Sequence, residues 1–157
     1  MDLTDIFNDA PFARTFGIEV TDVGDGHATV HLPYDEDLRS TNYGSVMHGG
    51  ATYALADTAG GAAVVSLSRD VSPTVDMRID YLAPATTALR ATGEVIRYGS
   101  NLAVAHVNVH DEEGTRVATA QGTYKTGGGS DASPWHEAAA ESPEGADSAA
   151  SDELSEE

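Results

Sequence analysis

The chain has 157 residues, 40% of them hydrophobic, enough for one core and one domain. Its formal charge is −18, with 26 acidic against 8 basic side chains and no Lys/Arg cluster, which excludes the basic surface that a nucleic-acid partner needs. It has no cysteine, so neither a disulfide framework nor a thiol nucleophile is available, and no stretch is long and apolar enough to span a membrane.

The opening MDLTDIFNDAPF is acidic and lacks the basic start and apolar h-region of a secretory signal, so a cytoplasmic location is expected. A short helix is predicted over 11–16. Residues 27–32 alternate Ala28, Val30 and Leu32 against His27, Thr29 and His31, as a half-buried strand does. A long helix is predicted over about 48–68. Its many Ala and Gly residues permit a sheet to approach closely, although the glycines lower helix propensity. Segments 74–82, 88–98, 102–110 and 116–125 each alternate as strands, with turn signals at Ala83-Pro84-Ala85, Gly99-Ser100-Asn101 and 111–114. Because these connections are short, the strands are expected to be antiparallel neighbours. The folded domain is placed at 1–126. Residues 127–157 hold nine acidic and no basic side chains and, apart from Trp135 and Leu154, almost nothing to bury, so they are expected to form a solvating tail without fixed structure.

The chemistry concentrates in NYGSVMHGGATYALADTAGG, residues 42–61. Gly49 and Gly50, at the start of a helix, leave backbone N–H groups uncovered, and these together with the positive end of the helix suit a developing oxyanion. Asp57 sits among Ala54, Leu55, Ala56, Thr58 and Ala59, where a carboxylate must be paired or put to use. At about 1.5 Å rise per residue, Gly49 and Asp57 lie roughly 12 Å apart along one helix, too far to share one carbonyl. Either they serve different purposes, or the site forms between two chains, which predicts a symmetric dimer. Ser45 lies in Y-G-S-V-M and not in a G-x-S-x-G elbow, so covalent serine chemistry is disfavoured.

One strand, one long helix and four antiparallel strands, with His48-Gly49-Gly50 opening the helix, resemble the hotdog fold, an α+β fold in which an antiparallel sheet wraps a central helix. Within it, most of residues 10–126 resemble the phenylacetate-degradation (PaaI-like) acyl-CoA thioesterases. The motif is Asn42, then His48-Gly49-Gly50, then Leu55-Ala56-Asp57-Thr58-Ala59, supported by Thr74-Val75-Asp76-Met77, Tyr81-Leu82-Ala83-Pro84-Ala85 and a late strand over 114–122. The resemblance implies that Asp57 is the general base or nucleophile and that the Gly49 N–H polarises the thioester carbonyl, with Gly50 allowing close approach. It also implies that Asn42 holds the carbonyl or the water, that His48 fixes the loop or the thioester, and that Thr74 orients the water. Without it, Asn42 is an ordinary turn residue, His48 a structural imidazole and Thr74 a strand-opening threonine. Val46, Met47, Tyr53 and Leu82 are candidates for the acyl pocket. The implied activity is hydrolysis of an acyl-CoA to a carboxylic acid and free CoA, by a homodimer or a dimer of dimers, with no cofactor.

Two other functions share such a fold, a hotdog enoyl-CoA hydratase and a non-catalytic acyl-thioester or aromatic-ligand binder. His48 and Asp57 are too far apart on one helix for the Asp/His pair of the first, and a carboxylate beside an apolar acyl chain gains a binder nothing. The pairs His27/His31 and His106/His110 invite a metal, but positions four apart on a strand are roughly 13 Å apart, so neither pair can share an ion and no metal is required. The acidic surface resembles that of proteins from salt-accumulating halophiles. Anionic CoA would therefore need some of Arg69, Arg78, Arg90 and Arg97 near its phosphates.

Overall fold

The computed structural model describes residues 2–127 and 134–140. Two short helices lead in: α1 (Leu3–Asn8), which begins with a reciprocal Asp2/Asp5 capping box, and α2 (Pro11–Phe16), with Pro at its first turn and Gly17 in the left-handed region at its end. Sequence reading found α2 and missed α1. The side chain of Asn8 then acts as a strand partner, accepting from Val20 N at 2.8 Å and donating to Val20 O at 3.0 Å.

Strands β1 (Glu19–Gly24) and β2 (His27–Leu32) form a hairpin. Its turn, Asp25-Gly26, has φ of 50° and 81°, the paired positive values that match the twist of a hairpin and favour this dipeptide. β1 was not foreseen, although Asp-Gly before an alternating strand is a hairpin signal. Along β2 the residues Ala28, Val30 and Leu32 are buried, as their alternation predicts. A short 3-10 turn (Glu36–Leu38) precedes the long helix α3 (Gly49–Ser68), after which come β3 (Thr74–Tyr81), β4 (Leu89–Tyr98), β5 (Leu102–Asp111) and β6 (Arg116–Lys125).

The six strands make one antiparallel sheet in the order β1, β2, β4, β5, β6, β3. The short links join β4 to β5 and β5 to β6 as neighbours, as expected. The link from β3 to β4 corrects that expectation, because Ala83-Pro84-Ala85 is not a hairpin turn but part of a crossover that takes the chain from one sheet edge to its middle. Leu82 N bonds to Val117 O at 2.8 Å, and Ala85 O accepts from Met47 N at 2.8 Å, so the crossover's backbone groups are satisfied away from β4.

Helix α3 lies on one face of this sheet, chiefly against β4, β2 and β5. Leu55, Ala56, Ala59, Ala62, Ala63 and Val64 are fully buried there, facing residues such as Val30, Leu89, Ala91 and Val107. The small side chains let the two backbones approach closely. At Gly93 of β4, a Cβ would lie 2.5 Å from the carbonyl oxygen of Ala59, so no larger residue fits without moving the helix. The antiparallel sheet around a long central helix is the hotdog fold.

Beyond Gly127 the described residues form one further helix, α4 (Pro134–Ala140), with Pro at its start and three alanines favouring the helix. It falls within the segment expected to lack fixed structure. The rest of that expectation concerns residues outside the described ones.

Candidate active site

The start of α3 is held by the backbone around it. The bridge between Arg39 and Met47, with Ser40 N on Val46 O at 2.9 Å, closes the loop that precedes the helix, and His48 N bonds to Leu38 O at 2.7 Å. His48 is the N-cap: its Nδ1 accepts from Gly50 N at 2.8 Å, which requires that nitrogen to be unprotonated. On the other side of the same peptide unit, the Tyr81 hydroxyl donates to Gly49 O at 2.7 Å. The Gly49–Gly50 peptide is thus fixed at both ends. Among the described residues nothing accepts from the Gly49 N–H, which remains an open donor at the positive end of a 20-residue helix.

Gly49 lines a pocket of about 430 Å³, together with Val46, Met47, Thr52, Tyr81, Leu82, Ala83 and Val117. Of the candidate acyl contacts, Val46, Met47 and Leu82 are here. Tyr53 is not; it turns toward β3, with its hydroxyl on Met77 O at 3.4 Å, and burial followed by the charges of Asp57 and Asp76 pushes its phenol pKa up. Gly50 contributes its N–H to the cap and does not line the pocket.

Asp57, further along α3, is half-buried and does not line this pocket either. Thr74, the first residue of β3, donates from its hydroxyl to Asp57 Oδ1 at 2.8 Å. The hydroxyl of Tyr124, near the end of β6, lies 3.4 Å from the same oxygen and 3.4 Å from the main-chain oxygen of Asp57. Tyr124 is completely buried, and its pKa is pushed far up, first by burial, then by the charge of Asp57 and the hydrogen bond to it, then by Tyr53, so it stays a neutral donor.

The structure therefore brings Asp57 and Thr74 together, and Gly49 with Val46, Met47 and Leu82, as two separate groups on one chain. Asn42 joins neither: it is exposed in the loop, between Thr41 and Tyr43, whose hydroxyl-to-carbonyl bond turns the chain there. Arg69 caps the C-terminus of α3, Arg78 pairs with Asp80 at 3.1 Å, and Arg90 lines a separate pocket on the outer sheet face. On that face His106 meets Thr119 across β5 and β6 at 3.1 Å. Sequence reading counted Tyr81 in a supporting motif without giving it a role, and it missed Tyr124. For Tyr124 a signal existed, since a phenol at an inward position of an alternating strand must find a hydrogen-bond partner. Tyr81 carried none.

Residues 44–118, which span Gly49, Asp57 and Thr74, match the family model described as the thioesterase superfamily. A protein of Halobacterium salinarum, provisionally named an esterase, is 38% identical over 122 residues, covering 69% of this chain and 80% of its own length. The chain belongs to the thioesterase superfamily. Among its relatives, the medium/long-chain acyl-CoA thioesterase YigI of Escherichia coli is 29% identical over 133 residues, covering 74% of this chain and 86% of YigI. The solved structure of the Escherichia coli PaaI protein, from the phenylacetic acid degradation operon, superposes with a TM-score of 0.72 at 25% identity, covering 80% of this thioesterase and 91% of PaaI.

Proposed function

We propose that this thioesterase hydrolyses acyl-CoA, or a closely related pantetheine thioester, at a site shared by two copies of the chain. The observation that carries this proposal is the open N–H of Gly49, a residue lining a pocket whose walls hold no carboxylate or imidazole, while Asp57, the one carboxylate of that helix, stands outside it. The acyl-CoA activity in the name of YigI and the likeness to PaaI support the substrate class. Edge strand β3 supports the second copy: it lies at the margin of the sheet, with Val75, Tyr81 and Leu82 exposed along it and just after it.

In the shared site the thioester carbonyl oxygen accepts from Gly49 N–H of one copy, and the helix terminus stabilises the charge that develops there. Asp57 of the other copy takes a proton from water as it attacks the carbonyl carbon, or attacks directly to form an anhydride that water then cleaves. Either way the C–S bond breaks, the thiol leaves and the acid is released. Thr74 fixes one oxygen of Asp57, His48 holds the glycine turn, and Val46, Met47 and Leu82 receive the acyl chain. Asn42, on the exposed loop, would reach the carbonyl or the water only across the interface.

Thiol release from a panel of acyl-CoAs is the direct test, and a hydratase or a binder releases none. Chains carrying Asp57→Asn mixed with chains carrying Gly49→Val are expected to regain activity, because some sites then receive both intact halves. Mixed dimers that form and stay inactive would overturn the shared site.

A further inference from the structure

We infer that Tyr124 is a positioning residue for the reaction: its buried hydroxyl holds one oxygen of Asp57 so that the other oxygen is left to do the chemistry. The inference rests on Asp57 being the base or nucleophile. Tyr124 stands in β6, the last strand, outside residues 44–118 that match the family model.

Three observations converge on it. First, Asp57 Oδ1 accepts from Thr74 Oγ1 at 2.8 Å and lies 3.4 Å from Tyr124 Oη, a hydroxyl equally close to the main-chain oxygen of Asp57, while among the described residues no donor reaches Oδ2. A carboxylate anchored through one oxygen presents the other in a fixed direction, and orientation of this kind is a large part of what an active site supplies. Second, the phenol occupies a slot made by glycines. A Cβ on Gly122 would lie 2.7 Å from the Tyr124 hydroxyl and ring, and a Cβ on Gly60 of α3 would collide with the hydroxyl. Two glycines, one on the strand beneath the ring and one on the helix beside the hydroxyl, leave room for a tyrosine pointing at Asp57. Third, burial and the neighbouring carboxylate keep the phenol protonated, so at any working pH it can only donate toward Asp57. A residue serving the core alone needs none of this, since phenylalanine fills the same slot without burying a hydroxyl.

The test is Tyr124→Phe, alone and combined with Asp57→Asn. In the wild-type background kcat is expected to fall about tenfold with KM unchanged, the loss of one hydrogen bond to a charged group. Combined with Asp57→Asn, the same change is expected to produce no additional loss, since the group it positions is gone. An unchanged kcat in folded Tyr124→Phe protein would overturn the inference, as would an equal loss in both backgrounds or a chain that no longer folds, either of which makes the hydroxyl a core strut. Full activity in Asp57→Asn alone would instead overturn the role of Asp57 itself, and it is recognised without touching Tyr124.

Discussion

Gly49 and Asp57 sit on the same helix and supply opposite kinds of chemistry. At Gly49 the useful group belongs to the backbone. Its N–H is open because the first turn of a helix has no acceptor for it, and the neighbouring peptide is pinned by His48 and Tyr81. At Asp57 the useful group is a side chain, and an exposed threonine on one strand and a buried tyrosine on another hold it. A backbone donor depends on what shields or displaces it, whereas a carboxylate depends on its identity and on its tethers. The two positions should therefore respond to mutation in different ways.

The largest effect is expected at the side chain. Asp57→Asn keeps size and polarity and removes the base, so kcat should fall by about 10² or more with the melting temperature nearly unchanged. Normal turnover would remove the distinction between the two ends. Gly49→Val leaves the N–H in place but sets bulk into the pocket, where even a Cβ lies 3.1 Å from the Tyr81 ring, so kcat should also fall, by roughly 10² if the carbonyl is displaced by about 1 Å. Gly49→Ala should be milder, because Tyr81 is exposed and can give way. Equal losses for alanine and valine would show that steric shielding is not what governs this end.

A third position asks whether the helix must lie where it does for both ends to work. Gly93→Ala places a methyl against the Ala59 carbonyl and should lower stability by about 1 to 3 kcal/mol, read from denaturant unfolding, by pushing α3 away from β4. Activity at subdenaturing temperature should fall with it. Net charge has a smaller effect. With a formal charge of −18 and a Debye length near 30 Å at 0.01 M salt, self-repulsion should loosen the fold at low ionic strength and oppose anionic CoA, so added salt should raise both melting temperature and kcat/KM.

The smallest effect belongs to Tyr124 as a titrating group. Its pKa is raised in the folded state, so the unfolded chain, with tyrosine near its ordinary value of about 10, loses the proton first as pH rises. The stability that accompanies the buried phenol is fully present below about pH 10 and declines above it. The melting temperature of wild type relative to that of Tyr124→Phe should therefore fall as pH rises above about 10. Parallel curves would place Tyr124 in a wetter setting than its burial indicates.

Much of this molecule was legible in the chain itself. The alternation over 27–32 and 116–125 matches β2 and β6 to the residue, and α3 begins one residue after the predicted start because His48 is its cap. Periodicity of two and the Ala/Gly content of a helix are local properties, set by which faces meet water and how closely backbones can pack. The separation of Gly49 from Asp57 was likewise fixed by helical rise alone. What was not local could not be read. β3 lies beside β6 and not β4, because the crossover's hydrogen bonds go to Val117 and Met47, partners far away in sequence. The pairing of Asp57 with Thr74 and Tyr124 arises from two strands closing on one helix, and the exposure of Asn42 from how its loop is bridged. Residue type and spacing fix which groups are chemically capable. Which of them meet depends on strand order and on the slots that small residues leave open.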